Sequence, residues 1–140
     1  MRDAANITGG CLCGGVRFRL KRPPTEIYFC HCHQCQKAQG GAFAASVPVL
    51  KVDFELVSGA DLLRAFRSSL NKARNFCVRC GSPIFSEVDD ATTLRIRAGT
   101  LDDAQSLQGV AHIFITDKVA WYEIHDDLPQ YAAREPGRGQ

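Results

Sequence analysis

Apolar and polar positions alternate with a period of two along much of this chain. Val16, Phe18 and Leu20 alternate with Arg17 and Arg19, and Leu94, Ile96 and Ala98 alternate with Thr93, Arg95 and Arg97. Successive side chains of a strand point to opposite faces, so each segment reads as a strand with one buried and one polar side. Segments 26–30, 42–50, 52–57, 62–66, 83–88, 110–115 and 120–124 are further candidate strands, several of them bounded by Gly or Pro. Only 33–39 and 101–105 read as short helical turns, and no segment carries the apolar stripe of a long helix. The class this predicts is mainly β, with short sheets packed around metal sites.

Composition adds bounds to that picture. A chain of 140 residues with 45 % hydrophobic and 23 % charged positions suits one soluble domain with a modest core. The first ten residues are polar and carry no signal-peptide core, and the longest nearly apolar stretch, 42–50, is too short to span a bilayer. These features predict a cytoplasmic protein with no membrane partner. The tail from Arg134 to Gln140 is polar and glycine-rich, and residues 132–140 are expected to be flexible beyond a domain spanning 7–131.

The chemistry-bearing residues are the seven cysteines. Their number is odd, which excludes a complete set of internal disulfides, and in a reducing compartment clustered cysteines point to metal ligation or catalysis. They form three groups: the C-x-C pair Cys11 and Cys13, the C-x-C-x-x-C triplet Cys30, Cys32 and Cys35, and the C-x-x-C pair Cys77 and Cys80. Tetrahedral Zn–S bonds of about 2.3 Å place sulfurs roughly 3.8 Å apart. A C-x-C pair on a strand shares one face, and a C-x-x-C pair converges around a tight turn that the following Gly81 relieves. Two such pairs make a closed four-sulfur site, assigned to Cys11, Cys13, Cys77 and Cys80. The triplet is left with three sulfurs and a free fourth position, the arrangement of a catalytic zinc. His33 is the better candidate for a fourth ligand or for a donor beside the ligands; His31, between two ligating positions, would point to the opposite face. Counting seven thiolates against two Zn²⁺ takes the net charge from +2 to −1, so the charge gives no support for a nucleic-acid partner. Three thiolates also make the triplet zinc a weak Lewis acid that favours a soft fourth ligand, which points to a small thiol.

The motifs Gly10-Cys-Leu-Cys-Gly-Gly-Val16, Cys30-His-Cys-His-Gln-Cys35, Phe76-Cys-Val-Arg-Cys-Gly-Ser82, Arg97-Ala-Gly-Thr-Leu-Asp102 and the closing stretch from His112 to Pro129 resemble the glutathione-dependent formaldehyde-activating enzyme family, which includes centromere protein V. The resemblance implies a β-tent architecture of short antiparallel sheets around two zinc sites. It implies a structural zinc on Cys11, Cys13, Cys77 and Cys80 and a catalytic zinc on Cys30, Cys32 and Cys35. It also implies carbon–sulfur lyase chemistry of the S-hydroxymethylglutathione type, with glutathione and an aldehyde as partners. Such chemistry needs an acid/base group, for which His33 is the candidate. It also needs basic groups for the carboxylates of the thiol. Lys37 is nearest in sequence, with Arg64, Arg67, Lys72, Arg74, Arg95 and Arg97 as alternatives that read equally as solvated strand faces. His112 reads as either a site or a core residue, Trp121 as core, and Asp102, Asp103, Asp126 and Asp127 as turn formers. A non-catalytic zinc module for a protein or thiol ligand is the competing function. The sequence specifies no oligomeric state.

Overall fold

The computed structural model describes residues 7–137. Their strands form two sheets. Strands β1 (Ile7–Gly10), β2 (Arg17–Leu20) and β5 (Phe54–Ser58) form a three-stranded antiparallel sheet in the order β1-β2-β5. Strands β3 (Glu26–Cys30), β4 (Ala44–Leu50), β6 (Leu63–Ser69), β7 (Lys72–Cys77), β8 (Pro83–Val88), β9 (Thr93–Arg97) and β10 (Gln108–Ile113) form a larger sheet in the order β10-β3-β4-β9-β8-β7-β6. All its pairings are antiparallel except β10 with β3. The protein is mainly β, as the alternation predicts.

The alternation also decides which side of the larger sheet is wet. Val47 and Val49 of β4 and Leu94 and Ile96 of β9 are buried against Phe18 and Leu20 of the small sheet. Phe54 bridges the two sheets, with ring centroids 5.2 Å from Phe18 and 5.1 Å from Phe85. Each of these large apolar side chains contributes about 1.5–3 kcal/mol on burial. The residues between them, Ser46, Pro48, Arg95 and Arg97, belong to the other face, which is therefore polar although much of it is shielded from water.

Helix α1 (His33–Gln39) begins and ends where its sequence dictates. The Cys32 sulfur accepts the Cys35 N–H at its N-terminus, and Gly40 closes it with φ of 69°, a left-handed conformation that glycine adopts without strain.

Three expectations fail. Residues 120–124 form no strand; Lys118 donates from Nζ to the carbonyls of Val119 and Tyr122, and this contact takes up backbone acceptors that a strand would offer a neighbour. Residues 101–105 are irregular, because Leu101 bridges to Gly9, and the helical turn lies one step earlier at Ala98–Thr100. Trp121, read as core, is 72 % exposed. Residues 138–140 of the expected flexible tail lie outside the described residues, whereas 132–137 lie against the fold: the Phe114 N–H donates to Ala133 O and Thr116 to Ala132 O.

Candidate metal centres

Two groups of sulfurs converge, each with its ligand atoms within 4.8 Å of one another. The first joins Cys11, Cys13, Cys77 and Cys80, bringing the end of β1 to the end of β7. Each pair sits on a tight loop. Gly14 N–H bonds Cys11 O and Gly81 N–H bonds Cys77 O, and both glycines have φ near +80° (81° and 80°), which a side chain would strain. Ser82 ties the loops together: its hydroxyl accepts the Leu12 N–H at 2.9 Å and lies 3.2 Å from the Cys80 sulfur. The sulfurs face N–H donors, including Val16 N–H on Cys11 at 3.2 Å and Arg79 Nε–H on Cys13 at 3.3 Å. The Ser82 hydroxyl, helped by the backbone N–H groups of Ser82 and Cys13, brings the Cys80 thiol down to about 5. The Gly15 N–H and Arg79 lower Cys13 likewise. This is a thiolate nest. Sulfur separations of 3.5 Å (Cys11 to Cys13) and 3.9 Å (Cys13 to Cys77) bracket the roughly 3.8 Å edge of a Zn–S tetrahedron. The four residues fit a closed metal site.

The second group holds Cys30 at the end of β3, Cys32 at the cap of α1 and Cys35 within its first turn. Here the surroundings are charged side chains. Arg74 of β7 places Nη1 and Nη2 each 3.8 Å from the Cys35 sulfur. It is itself fixed by the Ser68 hydroxyl at 3.1 Å and Gln34 Oε1 at 3.4 Å. Arg97, buried beside it, donates to Gln39 Oε1 and Ser46 Oγ. Hydrogen bonds from the Cys30 and Cys32 thiols, then the charges of Arg74 and Arg97, drive the Cys35 thiol far below its ordinary value, and the hydrogen bonds with Cys32 and Cys35, together with burial, push Cys30 up. One thiolate is thus already stabilised. The donor set of three sulfurs fits a soft cation. All three sulfurs line a groove of about 1000 Å³ on the polar face of the larger sheet, a groove that none of the other four cysteines reaches.

The histidines divide as their positions require. His31 is fully buried on the side away from the triplet, its Nε2 2.9 Å from His112 Nδ1, and His112 Nε2 lies 3.0 Å from Asp126 Oδ2. Burial, with His112 alongside, lowers His31 to about 4, so its neutral form packs against Phe43 and Tyr122. His33 lines the groove with its ring exposed, and its Nε2 is 3.6 Å from Asp117 Oδ1; it is not one of the converged ligand atoms. Lys37 is exposed on α1 and does not line the groove. It follows Cys35 by two residues, about 200° around the helix, so it cannot share the cysteine's direction. Lys72, Arg95 and Arg97 line the groove instead, and Arg74 lies behind Cys35. Asp103 and Asp126 do form turns, accepting the N–H of Gln105 and of Leu128.

Comparison with known proteins agrees with this arrangement. Residues 6–117 match the family described as glutathione-dependent formaldehyde-activating enzyme. A Halomonas elongata protein, provisionally named a glutathione-dependent formaldehyde-activating enzyme, is 32 % identical over 85 residues, covering 56 % of this chain and 54 % of that protein. The chain thus spans about half the length of that relative. A crystal structure of a Rhodobacter sphaeroides protein has the same fold, with a TM-score of 0.58 at 20 % identity over 68 % of this chain and 87 % of that one.

Proposed function

The chain belongs to the glutathione-dependent formaldehyde-activating enzyme family, and from that premise we propose that it is a zinc-dependent carbon–sulfur lyase acting on a thiol–aldehyde adduct of the S-hydroxymethylglutathione type. Cys11, Cys13, Cys77 and Cys80 would hold a structural zinc and Cys30, Cys32 and Cys35 a catalytic one. The observation that carries this reading is the difference in setting: Cys30, Cys32 and Cys35 line a large groove, and the other four cysteines do not.

When bound, the zinc at the triplet supplies the positive charge that keeps a fourth sulfur ligand as thiolate. The chain's own residues do the rest. Arg74 and Arg97 offset the negative charge of three thiolates in a site shielded from water. In the lyase direction the hydroxymethyl O–H loses its proton, the carbonyl forms, the C–S bond breaks and its electron pair stays on sulfur. In the reverse direction the thiol gives up its proton, sulfur adds to the carbonyl carbon and the new alkoxide takes a proton. His33 would hold that proton in either direction; its exposure on the groove wall, with Asp117 beside Nε2, supports that role. Gln36 keeps its helix in place, donating from Nε2 to His31 O at 2.7 Å and Asp117 O at 2.8 Å.

Titrating glutathione into the cobalt-substituted protein tests the reading. The sulfur-to-cobalt charge-transfer band should change with thiol, and that change should vanish in Cys35→Ser. An unchanged band up to millimolar glutathione would sink the proposal.

A further inference from the structure

Among the carboxylates that line the groove, Glu135 comes from the C-terminal segment. Of residues 132–137 only Glu135 is not exposed. Its side chain turns in from the groove rim, where Arg134, Pro136 and Gly137 also lie, and its Oε2 sits 2.5 Å from Arg95 Nη2. Both side chains are mostly covered, at 10 % and 14 % exposure. The Arg95 guanidinium lies 4.9 Å over the Tyr28 ring, and its Nη1, buried, has no hydrogen-bond acceptor among the described residues. A planar fork on an aromatic base with an unused donor is a receptor for a carboxylate that can take two bonds.

Its place along the sheet sets it beside the basic groups that face the triplet. Arg95 and Arg97 are two residues apart on β9 and lie on the same face, roughly 7 Å from one another, and Arg97 acts on the Cys35 sulfur. A shielded guanidinium left unpaired is costly, so a protein that receives carboxylates there gains from having its own when the groove is empty. Exchanging one carboxylate for another keeps Arg95 paired throughout.

We propose that Glu135 is an internal substitute for a ligand carboxylate: in the ligand-free protein the 132–137 segment seats it on Arg95, and a carboxylate-bearing thiol entering the groove displaces it. The C-terminal segment is therefore a competitive strap that an acidic thiol must displace to reach Arg95, whereas a thiol without a carboxylate binds without displacing it. The proposal rests on the thiol reading for the identity of the site but not for its test.

The test uses the full metal-loaded chain and S-methylglutathione, which keeps both carboxylates of glutathione but has no free thiol, with cysteamine, a thiol without a carboxylate, as control. By calorimetry, Glu135→Gln should bind S-methylglutathione about 3–10-fold more tightly than the parent protein. Arg95→Gln should bind it more weakly than the parent, and adding Glu135→Gln to it should restore nothing. Cysteamine affinity should be the same in all. Saturating S-methylglutathione should also raise amide hydrogen exchange across 132–137. Equal affinities in the parent and Glu135→Gln, no measurable binding to either at millimolar ligand, or unchanged exchange of the segment each overturn the strap. A cobalt spectrum that ignores thiols while Glu135→Gln still gains affinity removes the thiol reading and leaves the strap standing. The opposite pair of results removes the strap alone.

Discussion

The two cysteine clusters use the same ligand atom and differ in the balance of backbone and charged groups around it. The four-sulfur cluster is lined by backbone N–H groups of two glycine-supported loops, with the Ser82 hydroxyl between them. The three-sulfur cluster is lined by the side chains of Arg74 and Arg97, brought in from strands far along the sequence. Backbone donors are fixed once the loops fold, so they suit a site whose role is to hold distant segments together. Guanidinium groups carry full charge into a shielded groove, and that suits a site where charge changes when a ligand arrives. On the proposed reading, the difference between holding a fold and handling a ligand would lie in the surroundings of the sulfurs rather than in the sulfurs.

The sharpest way to break that comparison is to remove one sulfur from each cluster. Cys77→Ser opens a site that joins β1 to β7, and Cys77 is wholly buried. Structural zinc contributes about 10–16 kcal/mol in small zinc domains, more than the total stability of most domains, so this variant should unfold or aggregate. Cys35→Ser touches residues already linked by β3 and α1, and it should leave a cooperatively melting domain that has lost about one equivalent of metal. Thermal melts by circular dichroism, with elemental analysis, decide between them. Equal losses in melting temperature would end the division into two kinds of site.

A smaller effect sharpens the role of charge. Arg74→Gln removes the guanidinium from the Cys35 sulfur, whereas Arg79→Gln removes the one from the exposed Cys13 sulfur, where backbone donors remain. Loss of an orienting partner beside a metal ligand typically costs 10–100-fold in affinity. Competition with a chromophoric chelator should show about a 10-fold loss at the three-sulfur site in Arg74→Gln and under about 3-fold at the four-sulfur site in Arg79→Gln, where an exposed charge is screened. Similar losses from both would mean that charge does not distinguish the clusters.

How much of this the sequence reveals depends on whether the signal is local. The spacing of the cysteines places all seven, and the C-x-C-x-x-C run correctly starts a short helix at His33, because ligand spacing and capping are properties of a few consecutive residues. The strands at Glu26–Cys30 and Pro83–Val88 are legible in full for the same reason. Strand β7 is not, since Lys72, Arg74 and Asn75 hide its pattern: Arg74 and Asn75 are buried because of what they meet in the groove and in the sheet, not because they are apolar. The choice of Lys37 over Arg74 has the same origin. Nearness in sequence favours Lys37, whereas the pairing of Arg74 with Ser86, and of Ser86 with Arg95, is what aligns the basic groups along the groove. Alternation of Lys72 and Arg74 with Ala73, Asn75 and Cys77 was the available signal, and it required accepting a strand with a charged inner face.

The smallest expected effect tests whether the four-sulfur half is also tied down by charge. Asp102 joins Arg17 of β2 and the Thr8 hydroxyl of β1, just before β1 delivers Cys11, and its backbone N–H bonds Thr8 O. Hydrogen bonds from Arg17 and Thr8 hold the Asp102 carboxyl below its ordinary value. A lowered carboxyl stabilises the fold fully above the unfolded value of about 3.9, and that contribution disappears as pH falls through the lower folded value. Acid also strips metal from thiolates, so the contrast is best measured near pH 7, where the contribution is complete. The side chains of Arg17 and Asp102 are 37 % and 45 % exposed, and solvent screening limits the ion pair to about 0.5 kcal/mol. Asp102→Asn keeps the shape and the backbone bond and loses the charge. It should lower the melting temperature by roughly 1–2 °C in dilute buffer, and less in 1 M salt. It should leave metal affinity at the three-sulfur site unchanged, because Thr8 and Arg17 lead only to the other cluster. A variant that weakens the three-sulfur site as much as the four-sulfur one would show that the two halves are coupled through the core between the sheets.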